Sequence, residues 1–166
     1  MENLFMFLAT SLVLRVTTPR FKRFIVSPGC SALLNSGNKT LHLRHTKDGD
    51  KLIFNSYSAD GVRYGLICVQ LRQSCGMDKA EKILVNFINR VRKPLHIRYN
   101  TAMDVEDNGS FISITDYWQD EAGLDWKIKG YTNGKTLALL YVRNINDTAV
   151  KSHDAFLNGF RFSAAR

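Results

Sequence analysis

The sequence predicts an α/β domain of the α+β type, with an antiparallel β-sheet of about six to seven strands and helices packed on it. Three observations predict it. Several short runs alternate apolar and polar residues with period two, as half-buried strands do. Asp-Gly and Asn-Gly pairs separate several of these runs, and such pairs supply the positive φ angles of tight hairpin turns. Two further stretches carry apolar residues at helical spacing.

The elements follow in chain order. Phe21 to Ser27 reads as a strand stopped by Pro28-Gly29. Leu41-His42-Leu43-Arg44-His45 alternates, and Asp48-Gly49 marks a turn. Lys51 to Tyr57, Asp60-Gly61 and Val62 to Leu71 continue as strand, turn and strand, so residues 41–72 predict a three-stranded meander. Ala80, Ile83, Leu84, Phe87, Ile88 and Val91 then form one apolar helical stripe. Asp78 is the expected cap, with Glu81 in an acidic capping box. Arg90, Arg92 and Lys93 suit the dipole at the far end, and Pro94 stops the helix. Strands are expected at Leu95 to Tyr99, at Phe111 to Tyr117 and around Trp126. Asn133-Gly134 then leads into Thr136 to Val142, whose near-continuous apolar run predicts a central strand. A second helix is expected from about Asp147 to Leu157, with Ala149, Val150, His153, Phe156 and Leu157 on its inner face. Asn158-Gly159 is expected as its left-handed cap and Phe160 to Phe162 as a last strand.

At 166 residues the chain suits one domain. Residues 21–166 read as that domain, preceded by an N-terminal apolar segment over residues 1–20. Leu4 to Leu14 matches the apolar core of a signal peptide, but Glu2 precedes it and no A-x-A site follows. It reads either as a signal or as a first element of the fold, and it is too short to span a bilayer. The compartment stays open between a bacterial cell envelope or periplasm and the cytoplasm. Three cysteines fit no zinc spacing. Cys68 sits in an apolar strand, and Cys30 and Cys75 lie near glycines in expected turns. A single disulfide is allowed but not required.

The net charge of +8 is unevenly spread. Residues 1–100 hold 16 Lys/Arg against 6 Asp/Glu, and residues 101–166 hold 7 against 9. Such asymmetry suits an anionic partner or simple solvation of the surface. Arg90, Arg92, Lys93 and Arg98 form the principal basic group, and Arg15, Arg20, Lys22 and Arg23 a second. With Tyr99 or Phe21 beside them, they are candidates to follow phosphates while an aromatic ring stacks on a base.

No nucleophile elbow, P-loop, dinucleotide fingerprint or H-E-x-x-H occurs. Asp104 to Ser110 imitates the start of a calcium loop, but Thr115 stands where the bidentate glutamate belongs, so a polar turn is expected. His42 and His45 fall on opposite faces of a strand and do not suit chelation. His153 reads as a hydrogen-bonded core histidine. Asp116 with Asp120, and Glu121 with Asp125, are read as acids of a solvated loop rather than a catalytic pair. No cofactor, metal or catalytic residue is assigned. The Asn-x-Ser/Thr triplets at Asn38, Asn108 and Asn146 match a pattern so short that about 1.5 would arise by chance, and they decide nothing.

The Phe-rich opening strand with Pro28-Gly29, the meander ending in Gly61-Val62-Arg63-Tyr64-Gly65-Leu66, and the long helix form the first half of a wider pattern. Its second half is the hairpin from Lys129-Gly130-Tyr131 to Leu137-Ala138-Leu139-Leu140-Tyr141 and the ending Ala155-Phe156-Leu157-Asn158-Gly159-Phe160-Arg161-Phe162. Over residues 21–163 this pattern resembles the PsbP/DcrB-like superfamily. The resemblance implies a small α/β sandwich and a non-catalytic accessory or assembly factor that binds a protein partner. Members include photosystem accessory proteins, bacterial envelope proteins and a Ran-binding nuclear import factor. No binding residue carries over, because no binding motif matches position by position. The expected contact surface is therefore placed by charge alone, at Arg90, Arg92, Lys93 and Arg98. The alternative is an anion-binding module for nucleic acid or an acidic membrane surface.

Overall fold

Two strands joined by Pro28-Gly29 begin the chain: β1 (Phe21–Ser27) and β2 (Cys30–Asn35), paired antiparallel. The computed structural model describes residues 19–145 and 150–163, so the apolar segment Leu4 to Leu14, Arg15 and the expected start of the second helix at Asp147 lie outside the described residues. Then come β3 (His42–His45), β4 (Lys51–Ala59) and β5 (Val62–Gln70), the predicted meander. Asp60 and Gly61 both have positive φ, 52° and 78°, as a type I′ turn requires.

Helix α1 (Met77–Arg92) follows, with Gly76 at its N-cap and no side-chain capping bond. Asp78 lies inside the first turn rather than at the cap, where its charge still suits the helix dipole. After α1 come β6 (Ile97–Asn100), β7 (Asp104–Asp107), β8 (Ile112–Asp120), β9 (Asp125–Thr132) and β10 (Thr136–Arg143). Helix α2 (Val150–Leu157) and β11 (Arg161–Phe162) close the described chain. No helix of the described residues is long and apolar enough to cross a membrane.

The α/β sandwich stands, but its strands divide between two sheets rather than the one expected. The large sheet runs β3-β4-β5-β10-β9-β8-β6, with β7 also paired to β8. The first hairpin and the last strand form a separate sheet, β1-β2-β11. The cause lies in β2, where Cys30, Ala32 and Leu34 are buried in alternation and give the hairpin an apolar face of its own. Cys30 is therefore a strand residue, not a turn residue. That face packs with Tyr64, Leu66 and Cys68 of β5, Ala138, Leu140 and Val142 of β10, and Phe156 and Leu157 of α2.

The opposite face of the large sheet packs on Ala80, Leu84 and Ile88 of α1. Because β10 is covered on both sides, seven of its eight residues are buried, as its apolar run predicts. At α2, Val150 is exposed despite its place in the predicted stripe. Neither Asn158 nor Gly159 is among the residues of positive φ, so the helix does not end in the expected left-handed cap.

Candidate partner-binding groove

A helix is roughly 10 Å across and neighbouring strands lie about 4.8 Å apart, so one helix covers about two strands of a sheet. Helix α1 lies over β9 and β10. Gly130 of β9 permits the close approach, since a Cβ there would stand 2.9 Å from Ile88 Cδ1. The β4–β5 half of the same face is left open beside the helix. There Leu52, Ile67, Val69 and Leu71 face Ile83, Phe87, Val91 and Leu95 across a groove of about 660 Å³. This falls in the range of ordinary ligand and anchor-residue pockets, about 300–1,000 Å³.

The polar rim is sparse. Arg90 and Asn86 border the groove from α1, and Thr46, Asp48 and Asp50 from the β3–β4 turn. Asp50 is already engaged, its Oδ1 accepting the Arg72 backbone N–H at 2.8 Å. A second, polar hollow of about 440 Å³ shares Asn86 and Arg90 and adds Asn89 and Lys93.

The four cations singled out in the sequence divide into two pairs. Arg90 and Lys93 face the groove and its polar extension. Arg92 is engaged within the chain, donating to Asn89 Oδ1 and, at 2.6 Å, to Asn100 Oδ1 of β6. Arg98 stands on β6 with its guanidinium 5.3 Å from the centre of the Tyr99 ring. Among the described residues, none of the four has a carboxylate within ion-pair distance.

The remaining candidates fall elsewhere. Asp104–Asp107 is a strand paired with β8, not a polar turn; the long β8 offers a backbone partner to the whole run, and only Asn108-Gly109 turns. The His42 ring stacks on Phe54 at 5.1 Å. Arg23 donates to Ser31 Oγ and to the Gly159 carbonyl, tying β1 to the chain after α2.

Asp116 and Asp120 are not in a solvated loop. Both are buried on β8, and each accepts an indole N–H: Trp118 to Asp116 at 2.7 Å and Trp126 to Asp120 at 3.0 Å. Arg143 completes the second site, its Nε 2.8 Å from Asp120 Oδ2. Period-two spacing within Asp116-Tyr117-Trp118-Gln119-Asp120 was the available signal, because it puts both acids on the face of Trp118.

His153 is buried as expected, but its Nε2 has no hydrogen-bond partner. Its ring lies 5.8 Å from that of Tyr64. Burial, helped by the charge of Lys127 and opposed by Asp154, holds its pKa below the ordinary 6.5. The unfolded chain takes up this proton near pH 6.5, before the folded chain does. Stability is therefore full above that pH and lost as pH falls toward the lower folded pKa. Thermal midpoints between about pH 7 and 5 should fall in the wild type and fall less in His153→Phe. Equal slopes would show that the imidazole does not titrate differently in the two states.

A further cleft of about 600 Å³ is lined by Phe111, Tyr131, Phe160 and Phe162 together with Lys135 and Arg161. It lies at the edge formed by β11.

No protein-family model matches the chain, and no curated protein matches it in sequence. Among solved structures it is similar to cyanobacterial PsbP (CyanoP) from Synechocystis sp. PCC 6803, with a TM-score of 0.55. The match covers 90% of this chain and 96% of that one at 14% sequence identity. The fold is therefore PsbP-like; at this identity the likeness speaks for the fold alone.

Proposed function

We propose that this chain is a non-catalytic accessory protein that binds a protein partner, taking an apolar, acid-flanked segment of that partner into the groove beside α1. One observation carries the reading: an open apolar groove bordered on its helix side by Arg90 and continued by a hollow that Arg90 and Lys93 line, with no carboxylate of the described residues paired to either. Apolar anchors supply the affinity of such interfaces, and unpaired rim cations select for acidic flanks and speed the encounter. The PsbP-like fold and the accessory roles of the superfamily it resembles support the same reading.

The test begins with crosslinking in the native host, with and without nuclease, to obtain a defined partner for titration with purified protein. Arg90→Glu with Lys93→Glu should weaken binding at least tenfold, and Phe87→Ser should do so at unchanged charge. Arg98→Glu measures how far the surface extends onto β6. Unchanged affinity in both the charge-reversed and the Phe87→Ser proteins would remove the groove as the contact surface.

The aromatic cleft beside β11 favours a second reading, an anion-binding module. Phe111 and Phe162 offer faces for a base while Lys135 and Arg161 offer charge for its phosphate. Oligonucleotide affinity that falls steeply with salt, and is lost in Arg161→Glu but not in Arg90→Glu, would replace the protein-partner reading with this one.

A further inference from the structure

Two of the three cysteines meet inside the sandwich. Cys30 opens β2 of the small sheet, and Cys68 lies in β5 of the large one. Both are fully buried in the same core cluster. Their thiols are neighbours within interaction range across the gap between the sheets, and Ser27 Oγ lies 2.9 Å from Cys30 Sγ. Cys75 belongs with the α1 side, so the large sheet separates it from the pair.

We propose that Cys30 and Cys68 form an inter-sheet disulfide when the chain meets a disulfide oxidant, and that Cys75 takes no part. The pairing is fixed by topology: Cys68 has one thiol neighbour, and a bond between them joins sheets that share no backbone ladder. The two thiols are not equivalent. The neighbouring Cys68 thiol, with the Ser27 side chain and backbone, draws Cys30 down against the effect of burial. The same contact and burial push Cys68 up. Ser27 and Cys30 belong to the same β1–β2 hairpin, so the Ser27 hydroxyl stays beside Cys30 when that hairpin opens and can donate to its thiolate, which makes Cys30 the attacking sulfur and Cys68 the resolving one.

With oxidised glutathione as oxidant, the Cys30 thiolate attacks one sulfur, the glutathione S–S bond breaks, and one glutathione leaves as a thiol. The Cys68 sulfur then attacks Cys30 Sγ, and its proton goes with the second glutathione. The protein loses two hydrogens and two electrons, and the oxidant gains both. Exchange takes place before the β1–β2 hairpin closes over β5, or when that hairpin opens, because the closed core shields both sulfurs.

The test refolds the full chain in glutathione buffers from fully reduced to fully oxidised, alkylates free thiols, and maps peptides without reduction. The expected product links the Cys30 and Cys68 peptides and carries the alkyl label on Cys75. The bond closes a loop of roughly 40 residues, so oxidation should raise the thermal midpoint by roughly 5–15 °C. The rise should persist in Cys75→Ser and vanish in Cys30→Ser and Cys68→Ser. Three alkylated cysteines in fully oxidised buffer, a linkage through Cys75, or a midpoint lowered by oxidation would each overturn the assignment. None of these readouts depends on the groove or its partner.

Discussion

Asp120→Ala is expected to destabilise the domain by about 3 kcal/mol, the low end of what removing one partner of a buried charge pair costs. The Asp120 carboxylate is buried and accepts four hydrogen bonds. Oδ1 takes the backbone N–H groups of Ala122 and Leu124, each at 3.0 Å. Oδ2 takes Trp126 Nε1 at 3.0 Å and Arg143 Nε at 2.8 Å. Removing the carboxylate strands an indole N–H and a guanidinium that is itself only partly exposed. Water reaching Arg143 limits the loss, which is why the low end applies.

The same site makes the fold sensitive to acid. Burial alone would raise the Asp120 pKa, but the bonds from Trp126, Arg143 and Leu124, with the Arg143 charge, hold it below its ordinary 3.8. On acidification the unfolded chain protonates first. The stability this carboxylate contributes is therefore present above about pH 4 and lost as pH falls through the folded pKa. Urea unfolding at pH 7 measures the alanine variant, and thermal midpoints below pH 4 measure Asp120→Asn, which should lose part of the wild-type acid sensitivity. A cost under about 1 kcal/mol for Asp120→Ala would show that these bonds have no more than ordinary weight.

Gly65→Ala is expected to cost about 2–3 kcal/mol, the opposite of what strand propensity alone gives. Gly65 of β5 lies directly opposite Tyr141 of β10. A Cβ at Gly65 would stand 2.0 Å from Tyr141 Cζ and 2.3 Å from Oη. The ring cannot move freely, because it is buried and packed 5.1 Å from that of Trp126. Replacing Tyr141 by Leu should itself be destabilising, and Gly65→Ala should then add much less. A double-mutant cycle in denaturant reads this coupling directly. Additive costs would show that the ring does not depend on the glycine.

The groove shows where reading from sequence stops. The stripe Ile83, Leu84, Phe87, Ile88 and Val91 identifies α1 as amphipathic, and Arg90 and Lys93 stand out by charge. The stripe does not say that Leu84 and Ile88 are buried against the sheet while Phe87 and Val91 border open space. Arg90, Arg92, Lys93 and Arg98 look alike in sequence, yet Arg92 is tied to Asn89 and Asn100 while Arg90 lines the groove. Asp116 and Asp120 look like loop acids until Trp118, Trp126 and Arg143 gather around them.

By itself, the sequence determined the meander of β3, β4 and β5, the length and inner stripe of α1, and the central place of β10. These follow from side-chain periodicity, which the backbone sets within a few residues. Only the tertiary structure decided that β1, β2 and β11 leave the main sheet, that Cys30 meets Cys68, and that a groove opens beside α1. An alternating strand states that one of its faces must be buried, not what will bury it. That choice is made by distant segments competing for the same apolar surface, and a helix about two strands wide cannot cover the whole of a broad sheet.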